Sequence, residues 1–197
     1  MRAMAERHRA RQIWRGRALA LLALLAVAGW HGNAARAAES EVTLEQRVKA
    51  AFLFKMASYA EWPAGAFPKG ETPFTIGVVG AEPIAAELSR IVQGRTAHHR
   101  PIAVRRASAD DKLDGLHILF VGQEHRERIR RFAAGAQQQS TLLVTEWEGA
   151  LDEGSMVNFV LAEGRVRFRV ALDAIRKAGL KLSSRLLAVA DEVRGAP

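Results

Sequence analysis

Side chains able to do chemistry are present in this chain, but few stand at spacings that complete a site. His98 and His99 are adjacent, so their side chains diverge, and no carboxylate or further histidine is spaced to finish a metal centre. They read as a solvated loop. His117 opens an apolar strand and His125 begins a charged helix; neither has a serine or carboxylate at a recognisable motif spacing, and G-x-S-x-G is absent. Asp110, Asp111 and Asp114 cluster in a turn without the spacing of a calcium loop. The run Gly77-Val78-Val79-Gly80-Ala81-Glu82-Pro83 ends a strand, where open α/β sheets hold ligands. It lacks both G-x-G-x-x-G and the phosphate loop with its lysine. Gly80 simply permits a tight turn there, and Pro83 suits the first turn of a helix. The chain has no cysteine, which removes thiolate catalysis, thiolate metal sites and disulfides. No catalytic residue, metal ligand or cofactor is assigned.

Binding is better represented. Ala50 to Ala60 is apolar except at Lys55 and Ser58, which predicts a helix buried on every side. A bare buried ammonium is too costly to keep. Lys55 therefore either reaches water along its aliphatic stem or meets a partner such as Glu61 or a helix-end carbonyl. Alternatively Lys55 and Trp62 rim a shallow pocket or a regulatory surface, tryptophan being frequent at binding hot spots. Arg165, Arg167 and Arg169 alternate with Val166, Phe168 and Val170, so a strand puts all three arginines on one face. That face can take an anion or an acidic partner, or serve only for solubility. Ser183 and Ser184 precede a short helix and could donate to a carboxylate or phosphate. The binding candidates are Lys55, Trp62, Arg167, Ser183 and Ser184.

The elements that must position these residues follow from periodicity. Thr43-Leu44-Glu45-Gln46 has the form of a capping box and opens a helix that Pro63 stops after about Ala60. Strands are predicted at Phe74–Val79, Ile102–Val104, His117–Val121 and Leu142–Thr145, with helices around Pro83–Val92 and Glu124–Ala136 between them. That alternation predicts a mostly parallel sheet flanked by helices. Met156–Leu161 and Val166–Val170 then form a β-hairpin. Two short helices close the chain: Leu172–Lys177, ended by Gly179, and a last one running from Ser183 or Ser184 through about Val193. The fold class is α/β in a single domain.

Domain boundaries come from the start of the chain. Residues 1–37 read as a cleaved export signal: clustered arginines, an apolar run from Ala18 to Trp30, then Ala35-Arg36-Ala37. The apolar run is shorter than the roughly 20 residues needed to cross a bilayer. The whole chain holds 29 basic and 21 acidic residues, net +8; residues 1–37 account for seven arginines and one acid, leaving 22 and 20, net +2. The basic balance is thus mostly a property of the signal, and nucleic-acid binding is not indicated. Residues 38–197 form the expected domain.

Three stretches resemble the YfiR-like proteins: VKAAFLFKMASYAEWP near the start, and GSMVNFVLAEGRVRFRV and AGLKLSSRLLAVADEV near the end. PFTIGVVG, RPIAVRR and HILFVG follow in the expected order between them, so the resemblance runs from Val48 to Val193. It implies a periplasmic, non-enzymatic regulator that represses a membrane-bound diguanylate cyclase by binding its periplasmic sensor domain. It also implies a homodimer, and an outer-membrane lipoprotein that relieves repression by sequestering the regulator. Lys55, Glu61, Trp62, Asn158, Arg167, Phe168, Ser184 and Leu186-Leu187 stand where the family usually has these residues. Arg169 and Ala171 replace an acid and an amide, Gly154-Ser155 replaces paired glycines, and the cysteines of some relatives are missing. A small-molecule-binding module that feeds another membrane sensor is the alternative function.

Overall fold

A computed structural model describes residues 42–67 and 72–195; the export signal expected over residues 1–37 lies outside them. The first helix, α1 (Leu44–Tyr59), starts at the capping box: Thr43 Oγ1 accepts from the Gln46 amide at 3.2 Å and Gln46 Oε1 accepts from the Thr43 amide at 2.9 Å. It ends where Ala60 turns to extended backbone, shortly before Pro63. The all-round burial expected of α1 is not found. Ala50, Leu53, Met56 and Ala57 form a buried stripe, Phe52 and Phe54 are half-buried, and Lys55, Ser58 and Tyr59 are exposed. The helix packs against its neighbours along one side and leaves Leu44, Lys55, Ser58 and Tyr59 to solvent. Lys55 therefore needs no buried partner. Among the described residues the buried lysine is Lys49, 7% exposed.

Next come β1 (Ala60–Glu61), β2 (Phe74–Val79), α2 (Glu82–Val92), β3 (Thr96–Ala97), β4 (Arg100–Arg106) and β5 (Ile118–Val121). A 3₁₀ turn (Gln123–Arg128) leads through a kink at His125 into α3 (Ile129–Gln138) and β6 (Leu142–Thr145). The hairpin β7 (Val157–Ala162) and β8 (Arg165–Ala171) precedes α4 (Leu172–Lys177), β9 (Lys181–Leu182), α5 (Ser184–Leu187) and β10 (Glu192–Arg194). Eight strands form one sheet in the order β10-β8-β7-β6-β5-β2-β4-β3. It is parallel except at β7–β8 and β3–β4, so the sheet is mostly parallel as predicted. The short strands β1 and β9 pair separately and antiparallel. Strands β2, β5 and β6 are buried almost throughout, which explains their continuous apolar sequences. Glu163 and Gly164, at φ of 51° and 70°, make the tight turn between β7 and β8.

The chain end departs from expectation. Instead of a helix through Val193, α5 stops at Leu187 and Glu192–Arg194 becomes β10, parallel to β8. The Asp191 amide donates to the Phe168 carbonyl at 2.8 Å and begins that pairing. Covering an open sheet edge outweighs the modest helix propensity of a valine-containing stretch.

Candidate functional site

In an open parallel sheet, crevices form outside the carboxyl ends of adjacent strands whose connections leave to opposite sides, here β2 and β5: β4 adds on one side of β2 and β5 on the other. Two crevices open along this edge. One, about 760 Å³, lies between the starts of α1 and α2 and is lined by Gln46, Gly80, Pro83 and Arg106. The other, about 780 Å³, lies toward the hairpin and is lined by Trp147, Leu151, Asn158 and Arg194. Glu45, Lys49, Gln123 and Glu146 line both and form the saddle between them.

The saddle is an ion cluster. Lys49 Nζ donates to Glu146 at 2.7 Å, at the end of β6, and also to Glu45 one turn back on α1. The second Glu146 oxygen accepts from the Gln123 amide at 3.3 Å, after β5. Burial alone would push the Lys49 ammonium down, but the hydrogen bonds it donates to Glu146 and Glu45 outweigh that and hold the pKa above 10.5. A lysine held charged in this way cannot act as a neutral nucleophile or base at pH 7. It is a structural clasp between α1 and the sheet.

Beside it, the 146–156 connection is pinned from below. Buried Thr145 donates to Ser155 or Asn158, each 2.8 Å away, and Asn158 Nδ2 donates to the Trp147 carbonyl at 2.9 Å. Each of these buried polar groups is partnered, as a stable network requires. The connection covers one face of the hairpin only at its Asn158 end. Farther along, register places Val160 beside Arg167 and Ala162 beside Arg165 on that face. Val160 and Ala162 are half-buried, and both arginines are exposed. Arg169, on the same face, is engaged by Asp191 at 3.0 Å and Glu192 at 3.4 Å. Among the described residues, Arg165 and Arg167 have no acidic partner.

Trp62 lies at the opposite, amino edge of the sheet. It is half-buried; its indole N–H donates to the His117 carbonyl at 3.2 Å and its ring stands edge-on to Phe74, His98 and His117. His98 corrects the solvated-loop expectation. With His99 it makes the β3–β4 turn at positive φ, and its ring is half-buried, with Nε2 3.0 Å from the Ala57 carbonyl. Aromatic neighbours rather than metal-ligand spacing decide its place. Ser183 Oγ caps α5 by accepting from Leu186 at 3.4 Å, while Ser184 is exposed. A single-turn helix offers little dipole, so the anion-binding role considered for these serines has little to act through.

The five sequence candidates thus scatter. Trp62 and Ser183 flank the β1–β9 ladder at its two ends, Lys55 is exposed on α1, and Arg167 stands on the hairpin. Neither crevice is lined by any of the five. Sequence reasoning missed Lys49, Glu146 and the His117 environment. Glu45 and Lys49 stand at helical i,i+4 spacing, a visible signal, but Glu146 is far away in sequence. Among the described residues no group of acids and histidines is arranged to hold a metal ion, and no helix is long and apolar enough to cross a membrane.

The fold is a mixed α/β domain with a mostly parallel eight-stranded sheet flanked by helices. The chain belongs to the YfiR/HmsC-like family, whose model matches residues 46–191. That family comprises periplasmic, non-catalytic regulators that act with membrane sensor proteins in cyclic-di-GMP signalling. No curated protein matches the chain. Among solved structures, a conserved domain protein from Vibrio cholerae O1 biovar El Tor is similar over 61% of this chain, at 15% identity and a TM-score of 0.44. The chain spans about half of that protein, 54% of its length.

Proposed function

We propose that this protein is an exported periplasmic repressor that binds the periplasmic sensor domain of a membrane-bound diguanylate cyclase and docks through the open half of the β7–β8 face. The observation that carries the docking surface is the Arg165–Arg167 pair: two exposed guanidinium groups, unpartnered among the described residues, beside half-buried Val160 and Ala162. Apolar area flanked by unpaired arginines suits an acidic, partly apolar partner surface. Family membership supports the regulatory role. Repression then works by population shift: the regulator binds the inactive arrangement of the sensor more tightly than the active one. A competitor, in this proposal an outer-membrane lipoprotein, relieves repression by occupying the regulator. Removal of residues 1–37 on export and assembly as a homodimer belong to the same proposal. Lys55, Trp62, Ser183 and Ser184 are not needed for the docking face.

The test is an Arg165→Glu/Arg167→Glu variant expressed in a strain lacking the gene. Both residues are exposed, so the melting temperature should stay within a few degrees of wild type. Cellular cyclic-di-GMP should rise to the level of the deletion strain. Full repression by the variant would remove the hairpin face from the proposal. A second reading, a small-molecule module, draws support from the paired crevices at the carboxyl edge. A rise in melting temperature with one ligand of a metabolite panel would favour it.

A further inference from the structure

The amino edge of the sheet holds an imidazole in an environment built for its neutral form. His117 is 3% exposed and packs against the rings of both Phe67 and Phe74, with centroids 4.9 Å and 4.6 Å away and nearly parallel planes; the two phenylalanines also touch each other, 6.5 Å apart. Its Nδ1 accepts from the Thr75 amide at 3.1 Å, which places the proton of the neutral ring on Nε2. Nε2–H faces the backbone of Ala66 and makes no well-formed hydrogen bond. The backbone of the same residue accepts twice: Leu142 N–H donates at 2.8 Å and the Trp62 indole at 3.2 Å. His117 therefore fixes the segment that joins α1 to β2 at two points, through its carbonyl to Trp62 and through its ring to Phe67.

The charged and titratable groups acting on the ring come from the β3–β4 hairpin. They are Arg100, whose guanidinium also lies over Phe67 at 5.3 Å, and His98, stacked on Phe74. From β2 the neighbours are Phe74 and Thr75, and from the joining segment Trp62, Ala66 and Phe67, none of which carries a charge. Glu61 and Lys181, on the neighbouring β1–β9 ladder, are exposed. Among the described residues no carboxylate bonds either ring nitrogen.

We propose that His117 is an acid-sensitive latch: protonation of its ring unseats Trp62 and Phe67 and frees the segment Trp62–Phe67 from the sheet edge. An imidazolium has no acceptor nitrogen, so the Thr75 bond must break and the Thr75 amide is left facing a donor. The new charge sits in an apolar aromatic cluster near the Arg100 guanidinium, a group of like sign. Burial, with Arg100 and His98 acting in the same direction, sets the seated pKa below the ordinary 6.5. The latch is therefore closed above about pH 6.5 and loses stability as the pH falls below it toward the seated value. One proton is taken up on opening, so the open fraction rises by up to about tenfold per pH unit across that window.

The latch is a property of the protein alone and does not rest on the regulatory proposal. Amide hydrogen exchange of residues 62 and 64–67 and of Thr75, corrected for intrinsic rates, is measured on the purified full chain from about pH 7.5 to about pH 5. The wild type should open by up to about tenfold per pH unit below about 6.5. His117→Asn, which keeps an acceptor near the Nδ1 position but does not titrate, should show no such rise. His98→Gln should keep it. Exchange in the wild type that is independent of pH, or a rise that survives His117→Asn, would overturn the latch. Should His117→Asn not fold, NMR titration of the wild-type His117 ring decides. A midpoint below 6.5 with a concerted shift of the Trp62 indole N–H supports the latch, and a midpoint at or above 6.5, or an unmoved indole, overturns it.

Discussion

Lys49→Met should destabilise the protein by about 3 kcal/mol, because it leaves Glu146 partly buried without its cation. The Glu146 side chain is 16% exposed and keeps only the Gln123 amide at 3.3 Å once the ammonium is gone. Glu45, 40% exposed, can turn to water and adds little to the loss. The double variant Lys49→Met/Glu146→Leu should recover most of the stability, since replacing both members of a buried pair with apolar groups of similar volume is often close to neutral. Urea unfolding of the two variants reads the difference directly. Equal loss in both would mean that Lys49 acts through packing of its stem and not through its charge. The same cluster fixes an alkaline limit. The Lys49 pKa is raised above 10.5 in the fold, so its contribution is complete below the unfolded value and fades as the pH climbs through the folded one.

The regular strands and helices were legible because their signals are local. Phe74–Val79 and Leu142–Thr145 are apolar runs matching buried central strands, and the Thr43 capping box lies where the side chains suggest. What could not be read depends on long-range neighbours. In sequence Lys55, set in an apolar run, looks the more buried of the two lysines, yet the approach of distant Glu146 makes Lys49 the buried clasp while Lys55 stays in water. His98 and His117 are far apart in the chain, and the stack on Phe74 that unites them follows from strand order, which periodicity does not encode. The two-residue strands β1, β3 and β9 carry no periodic signal at all, and β10 exists because β8 leaves an edge to cover. The arginine alternation on β8 was visible, but the capture of Arg169 by Asp191 and Glu192 was not, because it requires that unexpected strand.

Gly122→Ala should be the most damaging alanine substitution among the described glycines. The position needs no glycine for its backbone angles: φ is −72°, open to any residue. Space is the constraint. A Cβ there would lie 2.2 Å from the Gly80 carbonyl oxygen and 2.8 Å from its carbon, with the Val79 carbonyl oxygen at 3.3 Å. All three are backbone atoms, so no rotamer change relieves the clash, and β2 and β5 must separate where they diverge to the two halves of the sheet. That separation breaks the Gly122 amide bond to the Val79 carbonyl, now 2.8 Å. It also disturbs His125, whose ring fills the space beside Gly80. A cost of about 3 kcal/mol or more is expected, and at this size that lowers the melting temperature by roughly 6–12 °C. Gly115→Ala is the control of opposite kind. It has open space around it but φ of +73°, so only the left-handed backbone penalty of about 1–2 kcal/mol applies. If the two variants melt together, conformational preference rather than close approach governs both glycines, and the β2–β5 seam is looser than its distances imply. If Gly122→Ala is clearly the worse, the seam beside the two crevices is a rigid floor, against which the Lys49 clasp holds α1 in place.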